Sequence, residues 1–225
     1  MTESLALRFA GPQQSWGSTE LADRNSEPVP TRNAVIGMIA AALGAPRGQW
    51  PDWLWGSEIW VRVDRVGILS SDFHTVGAPP PRVSDIRGRH RKAVGLGGPA
   101  DFAVPMGNGV GWKLGGGTMV TNRQYLADAE FLIAISHPEE GRVAEIAQAM
   151  RQPVFMTYLG RKAFAPTFPF HLGVRSGAPR YVLEALPTRS DETTGLTLHE
   201  LLGDRNFAVD RVNPPAIASW EGWMP

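Results

Sequence analysis

Two segments near the N-terminus decide the predicted fold: LALRFAGPQQSWG, residues 5–17, and PTRNAVIGMIAAALG, residues 30–44. The first segment alternates as a short strand does, with Leu5 and Leu7 on one side, and then enters a polar turn at Gly11. In the second segment Thr31 stands as the N-cap of an apolar helix that ends at Gly44. A strand, a polar turn and a helix N-terminus in this order suit the binding of an anionic backbone.

Further along the chain, the apolar pattern predicts a βαββαβ order. The predicted elements are a strand at residues 4–9, a helix at 32–43, a strand at 59–68, a strand at 131–135, a helix at 138–150 and a strand at 154–158. This order is the ferredoxin-like α+β plan, which is also the architecture of RRM domains.

An insertion at residues 76–122 separates the second and third predicted strands, and a compact domain does not require a loop of that length. Cations outnumber acids in its first half, which contains Arg82, Arg87, Arg89, Arg91 and Lys92. We therefore predict a domain at residues 1–165 that carries this insertion. A small β-rich appendage follows at 166–225, where residues 181–186 and 207–212 are the best strand candidates.

The composition limits the possible classes of protein. The chain has 225 residues, 43% of them hydrophobic, and a formal net charge of zero. That neutrality argues against a free-standing nucleic-acid binder, but not against a subunit whose partners supply charge. The chain has no cysteine, which excludes disulfides and thiolate sites. No signal peptide is visible, and the longest strongly apolar run, residues 34–43, is too short to span a membrane. We expect a soluble, cytoplasmic protein.

Two places in the quoted segments contain candidate binding residues. These candidates are Gln14, Ser15, Trp16, Thr31, Arg32 and Asn33. The helix start offers unpaired backbone N–H groups and a guanidinium to a phosphate. The alternative is an ordinary helix cap with a solvated arginine. The turn residues are suited to read or stack a splayed base, as single-stranded RNA recognition requires. The alternative is a tryptophan that packs over the sheet edge.

Cations and tyrosines farther along the chain form a second set of candidates. They are Arg87, Arg89, Arg91 and Lys92 in the insertion, Arg123 and Tyr125 after it, and Tyr158, Arg161 and Lys162 in the motif YLGRKAFAP at residues 158–166. The insertion cations fit contact with phosphates, with a solvated loop as the alternative. Gly160 allows a backbone to approach closely because it has no Cβ. The alternative for both tyrosines is core packing.

The quoted segments, together with YLGRKAFAP, closely resemble the CasD-type branch of the Cas-five family, a subunit of the type I-E CRISPR surveillance complex Cascade. The resemblance implies that the chain binds the 5′ handle of CRISPR RNA and caps the complex. It also implies that the insertion is a β-hairpin thumb, which folds over the RNA and contacts the CasC backbone subunit. Another surface would hold the CasA large subunit, and target DNA would be selected by base pairing with the guide.

An enzyme is the competing interpretation, because Cas-five relatives in type I-C systems cleave the CRISPR repeat without metal. His74, Tyr125 and Lys92 are the residue types that such a reaction requires. Nothing in the sequence brings them together, and the type I-E motifs imply a separate nuclease, CasE. We therefore predict a non-catalytic chain. The five histidines lack helical metal-site spacing, so neither a metal nor a cofactor is predicted.

Overall fold

The computed structural model describes residues 2–17, 23–76, 102–105, 112–115, 119–189, 195–203 and 205–220. The chain divides into two compact units. The first consists of Met1–Gly17, Ser26–Ser70 and Tyr125–Pro225, and the second of Ser18–Asn25 and Ser71–Gln124. Within the described ranges the chain is a mixed α/β protein with mainly antiparallel sheets and few helices.

The elements follow one another in an order that is mostly strands. They are β1 (Glu3–Ala10), β2 (Gln13–Gln14), β3 (Asp23–Arg24), α1 (Arg32–Ala42), a 3-10 helix (Asp52–Gly56), β4 (Glu58–Arg65), β5 (Ile68–Val76), β6 (Phe102–Pro105), β7 (Trp112–Gly115), β8 (Met119–Ala127), β9 (Glu130–Ser136), α2 (Arg142–Arg151), β10 (His171–Ser176), α3 (Pro179–Ala185), β11 (Leu196–Leu202) and β12 (Arg205–Val212).

The main sheet of the first unit has six strands in the order β10-β1-β9-β4-β11-β12. All five neighbouring pairs are antiparallel. In the register of the central strands, Ile135 of β9 lies between Leu5 of β1 and Ile59 of β4. Every residue of β9 is buried, because this strand has a neighbour on each side and packing on both faces.

Successive residues of a strand point to opposite faces of the sheet, so one strand contributes to two cores. Each face of the main sheet is covered by one of these cores. Leu7 and Ile133 belong to the core that contains the buried residues of α1 and α2. Leu132 belongs to the other core, with the buried residues of α3 and with Trp220. The helix α1 is buried on most of its circumference, as its continuous apolar sequence predicts.

In the second unit, β3 pairs with β8 in parallel, and Asp23 lies opposite Asn122. The strands β6 and β7 form an antiparallel pair with Phe102 opposite Gly115. This pair falls within the predicted insertion at residues 76–122. The insertion cations at residues 82–92 lie outside the described residues.

Several predicted elements are confirmed. The strand at 4–9, the helix at 32–43 and the strand at 131–135 correspond to β1, α1 and β9. The second helix begins at Arg142 instead of residue 138, after Gly141 in the left-handed conformation at φ +82°. The single strand predicted at 59–68 was wrong. The chain turns at Gly67, where φ is +75°, and this turn separates β4 from β5.

The fourth strand predicted at residues 154–158 was also wrong, because this segment contains no strand. The amides of Val154 and Phe155 donate instead to the carbonyls of Ala42 and Ala41, over 2.9 and 3.1 Å. They satisfy carbonyls at the end of α1 that have no partner within the helix. The strand that pairs with β1 at this edge is β10.

The C-terminal part of the chain differs from the prediction in one further element. Residues 181–186, predicted as a strand, lie mostly in the helix α3, which has a proline in its first turn. The strand predicted at 207–212 is confirmed within β12. The strands β10, β11 and β12 all join the main sheet, while the domain boundary after residue 165 stays a prediction. Among the described residues, no helix is long and apolar enough to cross a membrane.

Candidate nucleic-acid interface

The YLGRKAF motif forms a compact loop, residues 158–164, which we call the glycine loop. The amide of Leu159 donates to the carbonyl of Phe164 over 2.8 Å, and the amide of Phe164 donates to the carbonyl of Arg161 over 2.8 Å. Gly160 adopts φ +86°, a conformation that side chains with a Cβ rarely adopt. The loop is therefore held by its own backbone and not by packing alone.

The glycine loop packs directly against the turn that follows β1. A Cβ added to Gly160 would lie 1.6 Å from the carbonyl oxygen of Ser15, so the contact exists only because residue 160 is glycine. The amide of Ser15 also donates to the carbonyl of Leu159 over 3.1 Å. Two of the three sequence motifs that carry the family resemblance thus meet in space.

Four of the sequence-predicted residues belong to this region. Arg161 is half-buried, with its guanidinium 5.6 Å from the ring centre of Phe164, and Lys162 is exposed. The ring of Tyr125 lies 6.1 Å from that of Phe164, and Tyr158 is half-buried at the start of the loop. The region therefore combines two cations with aromatic side chains that are only partly covered, a combination typical of single-stranded nucleic-acid sites.

The turn residues Gln14, Ser15 and Trp16 are buried instead of presented to solvent. The side-chain amide of Gln14 donates to the carbonyls of Phe9 at 3.2 Å and Ala129 at 2.6 Å. Trp16 stacks on Phe9 with 5.6 Å between ring centres. Burial favours the alternative in which these side chains support the turn from within the core.

The helix start keeps its predicted form. The hydroxyl of Thr31 accepts a hydrogen bond from the amide of Ala34 at 3.3 Å and so caps α1. Asn33 is exposed in the first turn. The cap satisfies one of the N–H groups that the prediction assigned to an anion.

Arg32 has partners that the sequence did not reveal. Its guanidinium donates to the carbonyls of Trp55 and Ser57, each at 2.7 Å, and of Leu201 at 3.0 Å. These contacts join the 3-10 helix to β11 beside a cavity of about 380 Å³. Burial lowers the pKa of Arg32 from its ordinary value. Most of its hydrogen-bonding capacity is used within the chain.

The Arg32 guanidinium and the glycine loop lie at opposite ends of β9. Ser57, which accepts from Arg32, precedes the residue that pairs with Ser136. The amide of Thr167, just after the glycine loop, donates to the carbonyl of Ala10, which pairs with Glu130. At about 3.3 Å per residue, the seven residues of β9 separate these ends by roughly 20 Å. The structure therefore divides the predicted contacts into two places.

The remaining candidates lie in the second unit or outside the described residues. Arg123 is half-buried in β8, and its Nε has no hydrogen-bond partner among the residues that the structure describes. No structure is described for Arg87, Arg89, Arg91 and Lys92, or for the side chain of His74. In the described part of the chain, no group of three or more acidic or histidine side chains is placed to hold a metal ion.

Two features of this region were not predicted from the sequence: a long stretch without acidic residues and an exposed apolar segment next to the glycine loop. Residues 146–183 contain no aspartate or glutamate but carry Arg151, Arg161, Lys162, Arg175 and Arg180. This one-sided charge was visible in the sequence, and two of its cations, Arg161 and Lys162, belong to the glycine loop, whereas Arg180 pairs with Glu184 and Asp210. The exposure of Phe155 and Met156, which precede the loop, was not predictable once residues 154–158 were assigned to a strand.

Comparison with known proteins identifies the family of the chain. The family model described as CRISPR-associated protein (Cas_Cas5) matches residues 4–215. The Cascade subunit CasD of Escherichia coli strain K12 is 31% identical over 176 residues, which cover 77% of this chain and 71% of that protein.

Two solved structures are similar in fold. A chain of a CRISPR RNA-guided surveillance complex matches with a TM-score of 0.64 and 31% identity, over 92% of this chain and 87% of that one. A crystal structure of a Cas protein matches with a TM-score of 0.64 over 96% of this chain and 100% of its own, but at 23% identity it supports the fold alone. On the family model and the CasD match, the chain belongs to the Cas_Cas5 family of CRISPR-associated proteins.

Proposed function

We propose that this chain is the RNA-binding and assembly subunit of a type I-E Cascade complex, which grips the 5′ handle of CRISPR RNA and caps the complex. Family membership and the similarity to a Cascade subunit support this assignment. The observation that carries the residue-level proposal is the glycine loop. Its backbone is locked against the turn after β1, and it presents Arg161 and Lys162.

The chemistry of the loop fits a phosphodiester backbone. Lys162 is exposed, and the sequence between Glu145 and Glu184 contains no acidic residue. A cation fixed on a rigid loop contacts phosphates without regard to base identity, and it contributes most of its affinity at low salt. Tyr125 and Tyr158 are partly exposed and supply aromatic surface beside these cations.

The covered sheet limits how RNA is bound. RRM domains stack bases on an open sheet face. Here one face packs against α1 and α2, and the other against α3 and Trp220. We therefore propose that RNA is bound by loops at the end of the sheet and by the thumb, and not on the sheet surface.

The finer architecture is part of the same proposal. The strand order β10-β1-β9-β4, with α1 after β1 and α2 after β9, supports a ferredoxin-like core. The pair of β6 and β7 supports a thumb at residues 76–122, which would contact RNA and the CasC backbone subunit. CasA is the proposed partner of another surface, and target DNA is reached through the guide RNA.

We propose a binding role without catalysis. None of the observations on the described residues favours the alternative, a metal-independent ribonuclease that uses His74, Tyr125 and Lys92. Purified protein incubated with labelled repeat RNA in EDTA should leave the RNA intact. Specific cleavage that disappears in His74→Ala would establish the enzyme instead.

The experiment that tests the proposal measures RNA retention by the assembled complex over a salt series, because the chain alone has no net charge. Lys162→Ala should weaken binding and flatten the slope of log affinity against log salt by about 0.7 for one lost phosphate contact. The alanine variant of Arg87, Arg89, Arg91 and Lys92 should flatten the slope further.

The matched control is Arg189→Ala, which removes an exposed cation from the segment after α3. It should keep the wild-type slope. If Lys162→Ala and the four-site variant also keep that slope and assemble normally, the proposed RNA contacts are wrong.

A further inference from the structure

A row of apolar side chains lies exposed just before the glycine loop. Val154 is 67% exposed, Phe155 47% and Met156 77%. Three consecutive apolar residues on the surface form a continuous patch, and exposed apolar patches mark interaction sites. We call residues 154–156 the apolar segment.

The apolar segment is held in place by its backbone. The amides of Val154 and Phe155 donate to the last carbonyls of α1, as described above. Gly44, at φ +83°, lies so close to Val154 that an added Cβ would be 3.0 Å from its Cγ1. The two hydrogen bonds fix the main chain and the side chain of Val154 packs on Gly44, so Phe155 and Met156 are presented from a defined support.

The charge around this segment favours an anionic partner. Residues 146–183 lack acidic side chains, and along the chain the exposed Arg151 precedes the segment and the exposed Lys162 follows it. Apolar surface flanked by cations fits single-stranded nucleic acid, which offers aromatic base faces along a chain of phosphates. A partner protein surface with acidic groups would satisfy the cations but would not need an aromatic face.

We propose that Phe155 and Met156 form a stacking platform for a base of single-stranded RNA whose phosphates contact Arg161 and Lys162. The inference rests on the proposed RNA-binding function and adds to it the place where a base is held. Phe155 is six residues from Arg161, which is at most about 20 Å of extended chain, so one short RNA segment reaches both.

The test separates an aromatic contact from an apolar one. Phe155→Leu keeps an apolar side chain but removes the ring, and Phe155→Ala removes both. In assembled complexes, both variants should weaken binding of handle RNA by about 5- to 150-fold, the range that corresponds to losing one base–aromatic stack. Tyr181→Ala is the control, because Tyr181 is a 66% exposed aromatic residue on α3, on the other face of the sheet. It should bind as wild type does.

Handle RNAs with a single abasic nucleotide identify the stacked base. At one position the abasic RNA should bind wild-type complex as weakly as Phe155→Leu binds intact RNA, with no further loss when the two changes are combined. Additive losses at every position would overturn the platform.

The outcomes distinguish this inference from the proposed function. If Phe155→Leu binds RNA as wild type does while Phe155→Ala impairs assembly, the apolar segment is a protein contact and the platform is wrong. If Lys162→Ala weakens RNA binding but Phe155→Leu does not, the platform is wrong and the RNA-binding function stands. If neither variant changes RNA binding, the platform and the Lys162 contact are both wrong, and the RNA-binding function then depends on the four-site variant of the insertion.

Discussion

Replacing Gly160 with alanine is the sharpest test of how the candidate interface is built. The added Cβ would lie 1.6 Å from the carbonyl oxygen of Ser15, roughly 1.8 Å short of ordinary van der Waals contact, which begins at 3.4 Å. The obstacle is backbone, so no side-chain rotation relieves it. The glycine loop and the turn after β1 must therefore move apart.

The free energy of unfolding of Gly160→Ala should fall for three reasons: a broken hydrogen bond, overpacking, and the conformational cost of a positive φ. Separation breaks the hydrogen bond from the Ser15 amide to the Leu159 carbonyl, a loss of about 0.5 to 1.5 kcal/mol. Forcing an extra methyl group into a packed site costs about 1 to 3 kcal/mol. The left-handed conformation adds about 1 to 2 kcal/mol for any residue with a Cβ.

Gly141→Ala is a matched control that isolates the close contact. Gly141 has φ +82°, against +86° for Gly160, but no atom lies within 4 Å of its added Cβ. Gly141→Ala should therefore lose only the stability that the left-handed conformation costs a residue with a Cβ. The free energy of unfolding should therefore fall by about 1.5 to 4.5 kcal/mol more in Gly160→Ala than in Gly141→Ala.

Urea unfolding followed by tryptophan fluorescence measures both variants, with linear extrapolation to zero denaturant. The signal includes Trp16, which lies next to Ser15 and is 1% exposed. Handle RNA binding by the assembled complex should weaken in Gly160→Ala and not in Gly141→Ala. Equal loss of stability in the two variants, within about 0.5 kcal/mol, would refute the packing of the glycine loop against the turn.

Two further predictions concern buried polar groups away from the interface. Arg62 is fully buried, pairs with Asp64 at 2.7 Å and donates to three carbonyls at and after the end of α3. Arg62→Met should therefore destabilise the chain by about 3 to 5 kcal/mol in urea unfolding, and a loss below 1 kcal/mol would contradict this role. Burial lowers the pKa of His199 below its ordinary 6.5, so the unfolded chain binds the proton more readily. Stability should be fully present above about pH 6.5 and fall as the pH drops towards the folded-state pKa, and His199→Gln should reduce the difference in urea midpoint between pH 7.5 and 5.5. An unchanged difference would mean that other groups, such as His171, cause the pH dependence.

The sequence by itself determined the central elements of the fold. Alternation around Leu5 and Leu7, the continuous apolar run of β9 and the capped helix at Thr31 each identify an element from local spacing alone. Such elements are predictable because the side-chain period of 2.0 or 3.6 residues is a property of the backbone, and burial acts on it directly. The YLGRKAF motif likewise identified the residues that form the glycine loop.

Only the tertiary structure decided where extended or apolar segments find their partners. Residues 154–158 have the composition of a strand, but the amides of Val154 and Phe155 bond to the end of α1, and the sheet position is taken by β10. The single strand expected at 59–68 turns at Gly67, whose added Cβ would lie 2.6 Å from the carbonyl oxygen of Ala127. Hydrogen-bond partners distant in sequence leave no local pattern.

The candidate interface shows the same division. From the sequence, one prediction covered Gln14, Trp16, Arg32 and Lys162, since each side chain has the chemistry to bind RNA. Folding buries Gln14 and Trp16 and directs most of the donors of Arg32 to backbone carbonyls, and it leaves Lys162 exposed. Residue type states what a side chain can bind. Whether it binds solvent, ligand or its own chain depends on which groups the fold places within about 3 Å of it.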